Sequence, residues 1–251
     1  IFVFTSIILS GSISSIISNF LIKKNHYFKF ITRSDVIRNV EKDILRLGGL
    51  AIYLSFIVTF LIISKLINLD NQISESVNIF VFLISPCLFF LIGLVDDLIA
   101  LPPLPRLFGQ ILIAIFSWFS GLRIFVEQIP FFGSYISEIS FSQLLSLLIT
   151  IIWIVGITNA FNWIDGLDGL ASGIAIFSLF GFIIMGLISN NFNIIIFSSI
   201  VLGSSAGFLH HNFYPAKIYM GDSGSYFIGS IISLIAISLI NTNDLKSNLL
   251  S

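Results

Sequence analysis

Two adjacent aspartates, Asp96 and Asp97, follow an apolar run and form the most distinctive ionisable pair in the chain. Neighbouring carboxylates repel each other and lose hydration near a membrane, so a cation or a metal-bound phosphate is expected beside them. Magnesium fits, because it prefers oxygen ligands and usually takes one or two carboxylates together with substrate phosphates; manganese is the alternative. The interpretation without a ligand is that both aspartates cap a helix or lie in interfacial water.

A second polar segment repeats an amide or a carboxylate at every third position: Asn159, Asn162, Asp165 and Asp168. Neighbours at this spacing meet on a helix, but the complete set drifts around it. Gly166 and Gly169 interrupt the run and allow a helix end to turn into a tight loop around a polar ligand. An ordinary turn rich in Asn, Asp and Gly is the alternative.

A third polar segment, residues 210–224, ends where another apolar run begins. Asp222 therefore lies near the positive end of a helix, where a carboxylate is a favourable cap and where phosphate is also favoured. His210 and His211 are either metal ligands or hydrogen-bonding surface groups. Tyr219 either stacks on a base or belongs to the interfacial aromatic belt.

The composition assigns these segments to a membrane protein. Of 251 residues, 56% are hydrophobic and 10% charged, whereas about a quarter of the residues of a soluble domain are charged. The sequence has no basic stripe with interleaved aromatic residues, so nothing in it indicates a nucleic-acid binder. The single cysteine, Cys87, excludes an internal disulfide and a cysteine zinc site.

We predict an all-α, polytopic transmembrane helix bundle in a single membrane domain, residues 1–251. A span needs roughly 20 mostly apolar residues, with shorter spans tolerated. About eight candidates follow one another along the chain: 1–22, 47–67, 79–95, 107–122, 141–158, 170–188, 194–209 and 225–240.

The basic residues predict the sidedness of the bundle. Seven lie between the first two spans, and basic residues in short loops mark the cytoplasmic side. The N-terminus is then outside, and strict alternation places Arg106 and Lys217 inside. It also places all three acidic segments inside, so we expect them to converge at one membrane face in a site-like arrangement.

These residues resemble the polyprenyl-phosphate N-acetylhexosamine-1-phosphate transferase family, which includes phospho-N-acetylmuramoyl-pentapeptide transferase. The resemblance extends from about Arg46 to Gly229. It is carried by four runs in the family's order and spacing: Arg46-Leu47-Gly48-Gly49, Gly-Leu-Val-Asp96-Asp97 with Arg106, Asn159 to Gly169, and Asn212 to Gly224.

The resemblance implies a magnesium-dependent enzyme of the plasma (inner) membrane that moves N-acetylhexosamine 1-phosphate from a UDP-sugar to polyprenyl phosphate and releases UMP. It implies Asp222 as metal ligand, Asp96 and Asp97 as catalytic residues and Arg106 as a phosphate or lipid-phosphate group. The implied nucleotide-sugar residues are Asn162, Asp165, Asp168, Asn212, Tyr219, Lys42 and Arg46. The Arg46 run and the surroundings of Trp163 favour a simple UDP-N-acetylhexosamine over the muramoyl-pentapeptide branch.

The family usually continues beyond the point where this chain stops, with further spans and a histidine-rich cytoplasmic loop. We therefore expect a fragment of a complete enzyme, with a natural short form or an inactive scaffold as the alternative. The rival from another class is a secondary transporter, because ionisable residues near helix ends also mark ion pathways. Both a monomer and a homodimer remain open.

Overall fold

A computed structural model describes residues 2–27, 44–66, 78–126 and 139–250 of the chain. Within these ranges the regular structure is helical, and no β-strand occurs. The predicted all-α class is therefore confirmed. The α-helices are α1 (Phe2–Lys23), α2 (Gly48–Leu66), α3 (Asn78–Ile99), α4 (Pro103–Phe119), α5 (Ile139–Ile164), α6 (Leu170–Ser189), α7 (Phe192–Asn212) and α8 (Gly221–Leu250).

Seven of the helices in the described ranges are long and apolar enough to cross a membrane, which confirms a multi-pass membrane protein. The exception is α4, whose 17 residues span about 26 Å, less than the hydrocarbon thickness of about 30 Å. This helix begins at Pro103, four residues before the predicted span. Proline at the first helical position explains the early start, because its fixed φ suits a helix and its missing N–H costs nothing there.

An irregular segment, residues 122–125, follows α4 and packs partly buried against α5. Its backbone polar groups are satisfied by side chains of α5: the Ile124 N–H donates to Thr150 Oγ1 at 3.0 Å, and Ser146 Oγ donates to the Ile124 carbonyl at 2.6 Å. Irregular backbone at membrane depth is stable only where protein supplies such partners. The segment that follows the short α4 is thus held in place by side chains of α5.

The central helix of the bundle is α8, which contacts α2, α3, α5, α6 and α7. Its span Gly221–Asn241 is 89% buried inside the protein, more than any other candidate span. Serine and glycine are frequent in its first turns, and small residues allow neighbouring helices to approach closely in a membrane. The N-terminus of α8 is therefore the place where several surrounding helices and loops meet.

Helix α1 packs along α7 through small side chains. Four serines recur at every fourth position of α1 and are fully buried: Ser6, Ser10, Ser14 and Ser18. Residues at this spacing share one face of a helix. In this way α1 and α7 form a side of the bundle away from α4, while the ends of α3, α5 and α7 meet the starts of α4, α6 and α8.

Candidate active site

The carboxylate of Asp97, in the last turn of α3, caps the first turn of α8. Its Oδ1 accepts a hydrogen bond from the backbone N–H of Asp222 at 2.9 Å, and its Oδ2 accepts one from the N–H of Ser223 at 2.9 Å. The first N–H groups of a helix lack partners within the helix, and a negative charge is favoured there. Asp97 is a cap, as one interpretation of the sequence held, but for a helix 125 positions away.

Two glycines make this contact possible. Gly93 lies one helical turn before Asp97, and a Cβ built on it would lie 2.4 Å from the carbonyl oxygen of Asp222. Any larger residue would therefore separate α3 from α8. Gly221 has a φ of +76°, which residues with a Cβ rarely adopt, and it brings the first turn of α8 against the Asp97 carboxylate.

Asp96 pairs with Arg106 of α4. The distance from Asp96 Oδ2 to Arg106 Nη1 is 2.7 Å, and Asp96 Oδ1 accepts a hydrogen bond from the Leu101 N–H at 2.8 Å. Asp96 is only 3% exposed, whereas the Arg106 side chain is 27% exposed. Because a guanidinium carries five N–H donors, Arg106 is able to hold Asp96 and an anionic ligand at the same time.

Asp222 joins the third polar segment to the second. Asn162 Nδ2 donates a hydrogen bond to Asp222 Oδ1 at 2.6 Å and another to Ser225 Oγ at 2.8 Å. The Asp222 carboxylate also interacts electrostatically with Asp96 and Arg106. The predicted convergence of the three acidic segments at one end of the bundle is therefore confirmed.

The oxygen groups around Asp222 suit a hard cation. Within the described residues, no three His, Cys, Asp or Glu side chains form a ready-made metal cage. Magnesium does not need one, because it commonly combines one or two carboxylates with substrate phosphates. Both oxygens of Asp96 and of Asp97 already accept hydrogen bonds, while Asp222 is half-buried and reachable from solvent. Magnesium remains a prediction, and Asp222 is the ligand that this geometry favours.

Asp168 and Asn212 tie the turn after α5 to the segment before α8. Asp168 Oδ2 accepts a hydrogen bond from the Ala216 N–H at 3.0 Å. Asn212 is 2% exposed; its Oδ1 accepts from the Gly169 N–H at 3.1 Å, and its Nδ2 donates to the Ile218 carbonyl at 2.9 Å. These contacts shape the wall of the site, and direct contact of either side chain with a nucleotide stays a prediction.

Tyr219 and Arg46 lie where the chain before α2 meets the chain before α8. The Tyr219 N–H donates to the Leu45 carbonyl at 2.9 Å, and the Tyr219 carbonyl accepts from the Gly48 N–H at 2.9 Å. The Tyr219 side chain is largely buried. This pairing brings the Arg46 carbonyl oxygen close to Gly221, since a Cβ built there would lie 2.9 Å from it. Their predicted nucleotide contacts stay predictions.

The remaining candidates are less closely tied to the carboxylates. Asp165 is half-buried, and its N–H donates to the Asn162 carbonyl at 3.2 Å. Lys42, a predicted nucleotide-sugar residue, lies outside the described residues. His211 Nε2 lies 3.0 Å from Ser15 Oγ of α1, so this histidine is a hydrogen-bonding group, as one interpretation of the sequence held.

A groove of about 460 Å³ opens beside Arg106, between α4 and α5. Its lining is mostly apolar and includes Leu107, Val155, Ala160 and Trp163. Gln110 also lines the groove, is fully buried, and accepts a hydrogen bond at Oε1 from Asn159 Nδ2 at 2.6 Å. Sequence reasoning did not select Gln110. The available signal was its position four residues after Arg106, on the same face of a helix that is otherwise apolar.

Comparison with known proteins identifies the family. The sequence profile described as glycosyl transferase family 4 matches residues 79–240. This range contains both aspartates of α3, Arg106, the Asn159 to Gly169 run and Asp222. The chain belongs to glycosyl transferase family 4. The resemblance recognised in the sequence is therefore confirmed.

Relatives of this family 4 chain carry names of two kinds. A decaprenyl-phosphate N-acetylglucosaminephosphotransferase of Mycobacterium leprae is 35% identical over 196 residues, which is 75% of this chain and 49% of the relative. A probable undecaprenyl-phosphate N-acetylglucosaminyl 1-phosphate transferase of Bacillus subtilis is 34% identical over 197 residues, 78% of this chain and 52% of the relative. A phospho-N-acetylmuramoyl-pentapeptide-transferase of Bacillus mycoides is 35% identical over 204 residues, which is 77% of this chain and 60% of the relative. The chain thus spans about half the length of the first two relatives.

Proposed function

We propose that this protein transfers N-acetylhexosamine 1-phosphate from a UDP-sugar to polyprenyl phosphate and releases UMP. The observation that carries the proposal is the meeting of Asp96, Asp97 and Asp222 beside Arg106, at the mouth of an apolar groove. The names of the Mycobacterium leprae and Bacillus subtilis relatives, which couple a polyprenyl phosphate with N-acetylglucosamine phosphate transfer, support the same reaction.

The lipid substrate is assigned to the groove between α4 and α5. Leu107, Val155 and Ala160 supply an apolar lining for a polyprenyl chain, and burial of such a chain is favoured by about 0.8 kcal/mol per CH2 group. Arg106 lines the same groove and carries the positive charge that a phosphate requires. The groove therefore suits a molecule with an apolar tail and an anionic head.

The reaction is a phosphoryl transfer between two phosphates. An oxygen of the lipid phosphate attacks the sugar-linked phosphorus of the UDP-sugar, a new P–O bond forms, and the bond to the UMP oxygen breaks with its electron pair leaving on UMP. A phosphate monoester is largely ionised near neutral pH, so no protein base is required. Positioning and charge neutralisation are the main contributions that the protein makes.

Different residues of the site bind the phosphate, hold the metal ligand in place and orient it. Arg106 draws the lipid phosphate to the groove mouth, and the Asp97 cap holds the turn that carries Asp222 in place. Magnesium, or manganese in its place, would be held by Asp222 and would supply neutralisation of the diphosphate charge. Asn162, which donates to Asp222, orients that carboxylate.

The nucleotide-sugar is assigned to the walls formed by the segments after α5 and before α8. The predicted residues on the described chain are Asn162, Asp165, Asp168, Asn212, Tyr219 and Arg46. Placing these groups at the cytoplasmic face of the plasma membrane, as the basic residues predict, would give them access to soluble UDP-sugars. The product would be the first membrane intermediate of a cell-envelope polysaccharide or glycan.

The muramoyl-pentapeptide branch of the family is the second candidate, supported by the Bacillus mycoides relative. A panel of UDP-sugars separates the two branches. Transfer from UDP-N-acetylglucosamine or another simple UDP-N-acetylhexosamine supports the first candidate, and transfer confined to the muramoyl-pentapeptide donor supports the second.

The decisive experiment measures transfer of radiolabelled sugar phosphate to undecaprenyl phosphate by the purified protein encoded by the complete gene. We expect Asp222→Asn to lower the rate at least 100-fold, because it removes the charge of the proposed metal ligand. Glu75 lies between the second and third predicted spans, so the same alternation places it on the face opposite the acidic segments. Glu75→Gln therefore serves as the matched control and should retain the wild-type rate. The magnesium requirement is checked by chelation and by titration with magnesium and manganese.

If chelation left the transfer rate of the wild type unchanged, and Asp222→Asn had the same rate as the wild type, the assignment of this centre would be refuted. A protein that transfers no sugar phosphate, but moves an ion or solute in proteoliposomes in a manner dependent on Asp222, would establish the transporter instead. If the complete gene product showed neither sugar-phosphate transfer nor transport, the non-catalytic scaffold would be favoured.

A further inference from the structure

Two polar side chains are fully buried where α4 and α8 meet the acidic centre, and the reaction described above makes no use of them. Gln110 and Tyr226 are both 0% exposed. Among the described residues, neither Gln110 Nε2 nor Tyr226 Oη makes a hydrogen bond of good geometry, although the two side chains lie close enough to interact with each other. A buried polar group without a well-formed hydrogen bond costs about 1–3 kcal/mol, so a ligand or an ordered water is expected beside them.

A hydrogen bond from Asn159 of α5 fixes the orientation of the Gln110 side-chain amide. Its Oε1 accepts from Asn159 Nδ2 at 2.6 Å, and Asn159 Nδ2 also donates to the Val155 carbonyl at 2.8 Å. This contact directs the oxygen of the amide towards α5 and leaves the Nε2 donors for another acceptor. Gln110 also lines the groove together with Arg106.

Tyr226 belongs to the same centre. Its hydroxyl interacts electrostatically with Asp222, Arg106 and Asp96 and lies within hydrogen-bonding reach of the Gln110 side chain, and Arg106 Cζ lies 5.9 Å from the centroid of its ring. The Tyr226 hydroxyl and the Gln110 amide therefore lie next to each other beside the Arg106 guanidinium, one on α8 and the other on α4.

We propose that Gln110 Nε2 and Tyr226 Oη donate hydrogen bonds to an oxygen of a phosphate monoester held beside Arg106, in the groove between α4 and α5. The inference rests on the proposed function and names further groups that bind its lipid phosphate. Neutral donors are useful at this position because Arg106 already shares its charge with Asp96. They offset the repulsion between the phosphate and the nearby carboxylates without adding a charge to a buried site.

The test measures binding of farnesyl phosphate, a short prenyl phosphate, to the purified full-length protein in detergent by isothermal titration. Tyr226→Phe removes the hydroxyl and keeps the ring, and we expect the Kd for farnesyl phosphate to rise about tenfold, the loss expected for one hydrogen bond to a charged group. Gln110→Met should weaken binding similarly. Parallel titrations use inorganic phosphate and UDP-N-acetylglucosamine, and the Kd for the UDP-sugar should not change.

Tyr53→Phe is the matched control, because it removes a tyrosine hydroxyl that donates to Cys87 Sγ at 3.0 Å, away from this centre. Its affinity for farnesyl phosphate should equal that of the wild type. A similar weakening for inorganic phosphate in Tyr226→Phe would support the phosphate contact independently of the prenyl chain. Melting temperatures identify a variant that does not fold, and the other variant then carries the test.

Equal affinity of wild type, Tyr226→Phe and Gln110→Met for farnesyl phosphate would overturn the inference and leave the proposed function intact. It would mean that these donors bind water. A loss of affinity confined to UDP-N-acetylglucosamine would also overturn it. A wild-type protein that binds no prenyl phosphate would contradict the proposed function itself.

Discussion

Asparagine at position 97 would have nearly the shape of the native aspartate but would not match the two donors that it meets. Asp97 accepts the N–H of Asp222 at one oxygen and the N–H of Ser223 at the other. Asparagine has a single carbonyl oxygen, and its NH2 group would face the second N–H. Asp97→Asn therefore breaks one charge-assisted hydrogen bond, weakens the other and leaves a buried donor without an acceptor.

The size of the effect follows from these contacts. A hydrogen bond to a charged group contributes about 1.5–3 kcal/mol, and an unsatisfied buried donor costs about 1–3 kcal/mol. Because the two quantities overlap, we expect Asp97→Asn to lower the free energy of opening the first turn of α8 by about 2–4 kcal/mol. Asp97→Ala, which removes both acceptors, should lower it further.

Hydrogen exchange with mass spectrometry measures this opening directly. A loss of 2 kcal/mol corresponds to exchange about 30-fold faster, confined to the peptide that contains residues 221–224. Asp168→Asn is the control, because asparagine keeps an oxygen for the Ala216 N–H, and exchange at residues 221–224 should not change. Unaltered exchange in Asp97→Asn would refute the cap. If sugar-phosphate transfer were nevertheless lost, Asp97 would act in the chemistry itself.

Two further perturbations test the same centre. Gly93→Ala should separate α3 from α8, accelerate hydrogen exchange at residues 221–224 and lower the rate of sugar-phosphate transfer. Gly181→Ala is the control, because its added Cβ would meet nothing within 4 Å, and it should change neither the exchange nor the transfer rate. Equal behaviour of the two variants would contradict the close packing of α3 on α8. Arg106→Ala leaves Asp96 buried without its cation and should lower the free energy of unfolding by about 3 kcal/mol, measured by denaturant titration. Arg106→Lys keeps the positive charge but lacks the planar guanidinium. It should therefore be nearly as stable as the wild type but have a higher KM for polyprenyl phosphate. A wild-type KM in Arg106→Lys would contradict a phosphate-binding role.

The membrane class, the helical fold and the location of the acidic segments were predictable from sequence. Hydropathy determines which stretches enter a bilayer, and a span must form its backbone hydrogen bonds internally. The polar residues that interrupt apolar runs are consequently confined to helix ends. For this reason Asp96, Asp97, Asn162 and Asp222 were recognisable as one group before their contacts were known.

The partners of those residues depended on tertiary structure. The sequence around Asp97 predicted that it could cap the next helix, α4. In the structure α3 approaches α8 closely at Gly93, and the Asp97 carboxylate therefore caps α8 instead. Tyr226 lies in an apolar run whose pattern resembles that of the other spans, and only its contact with Arg106 and the carboxylates distinguishes it. The physical reason is that hydropathy records how much each residue favours the bilayer, whereas contacts between buried helices depend on which small residues let two backbones approach.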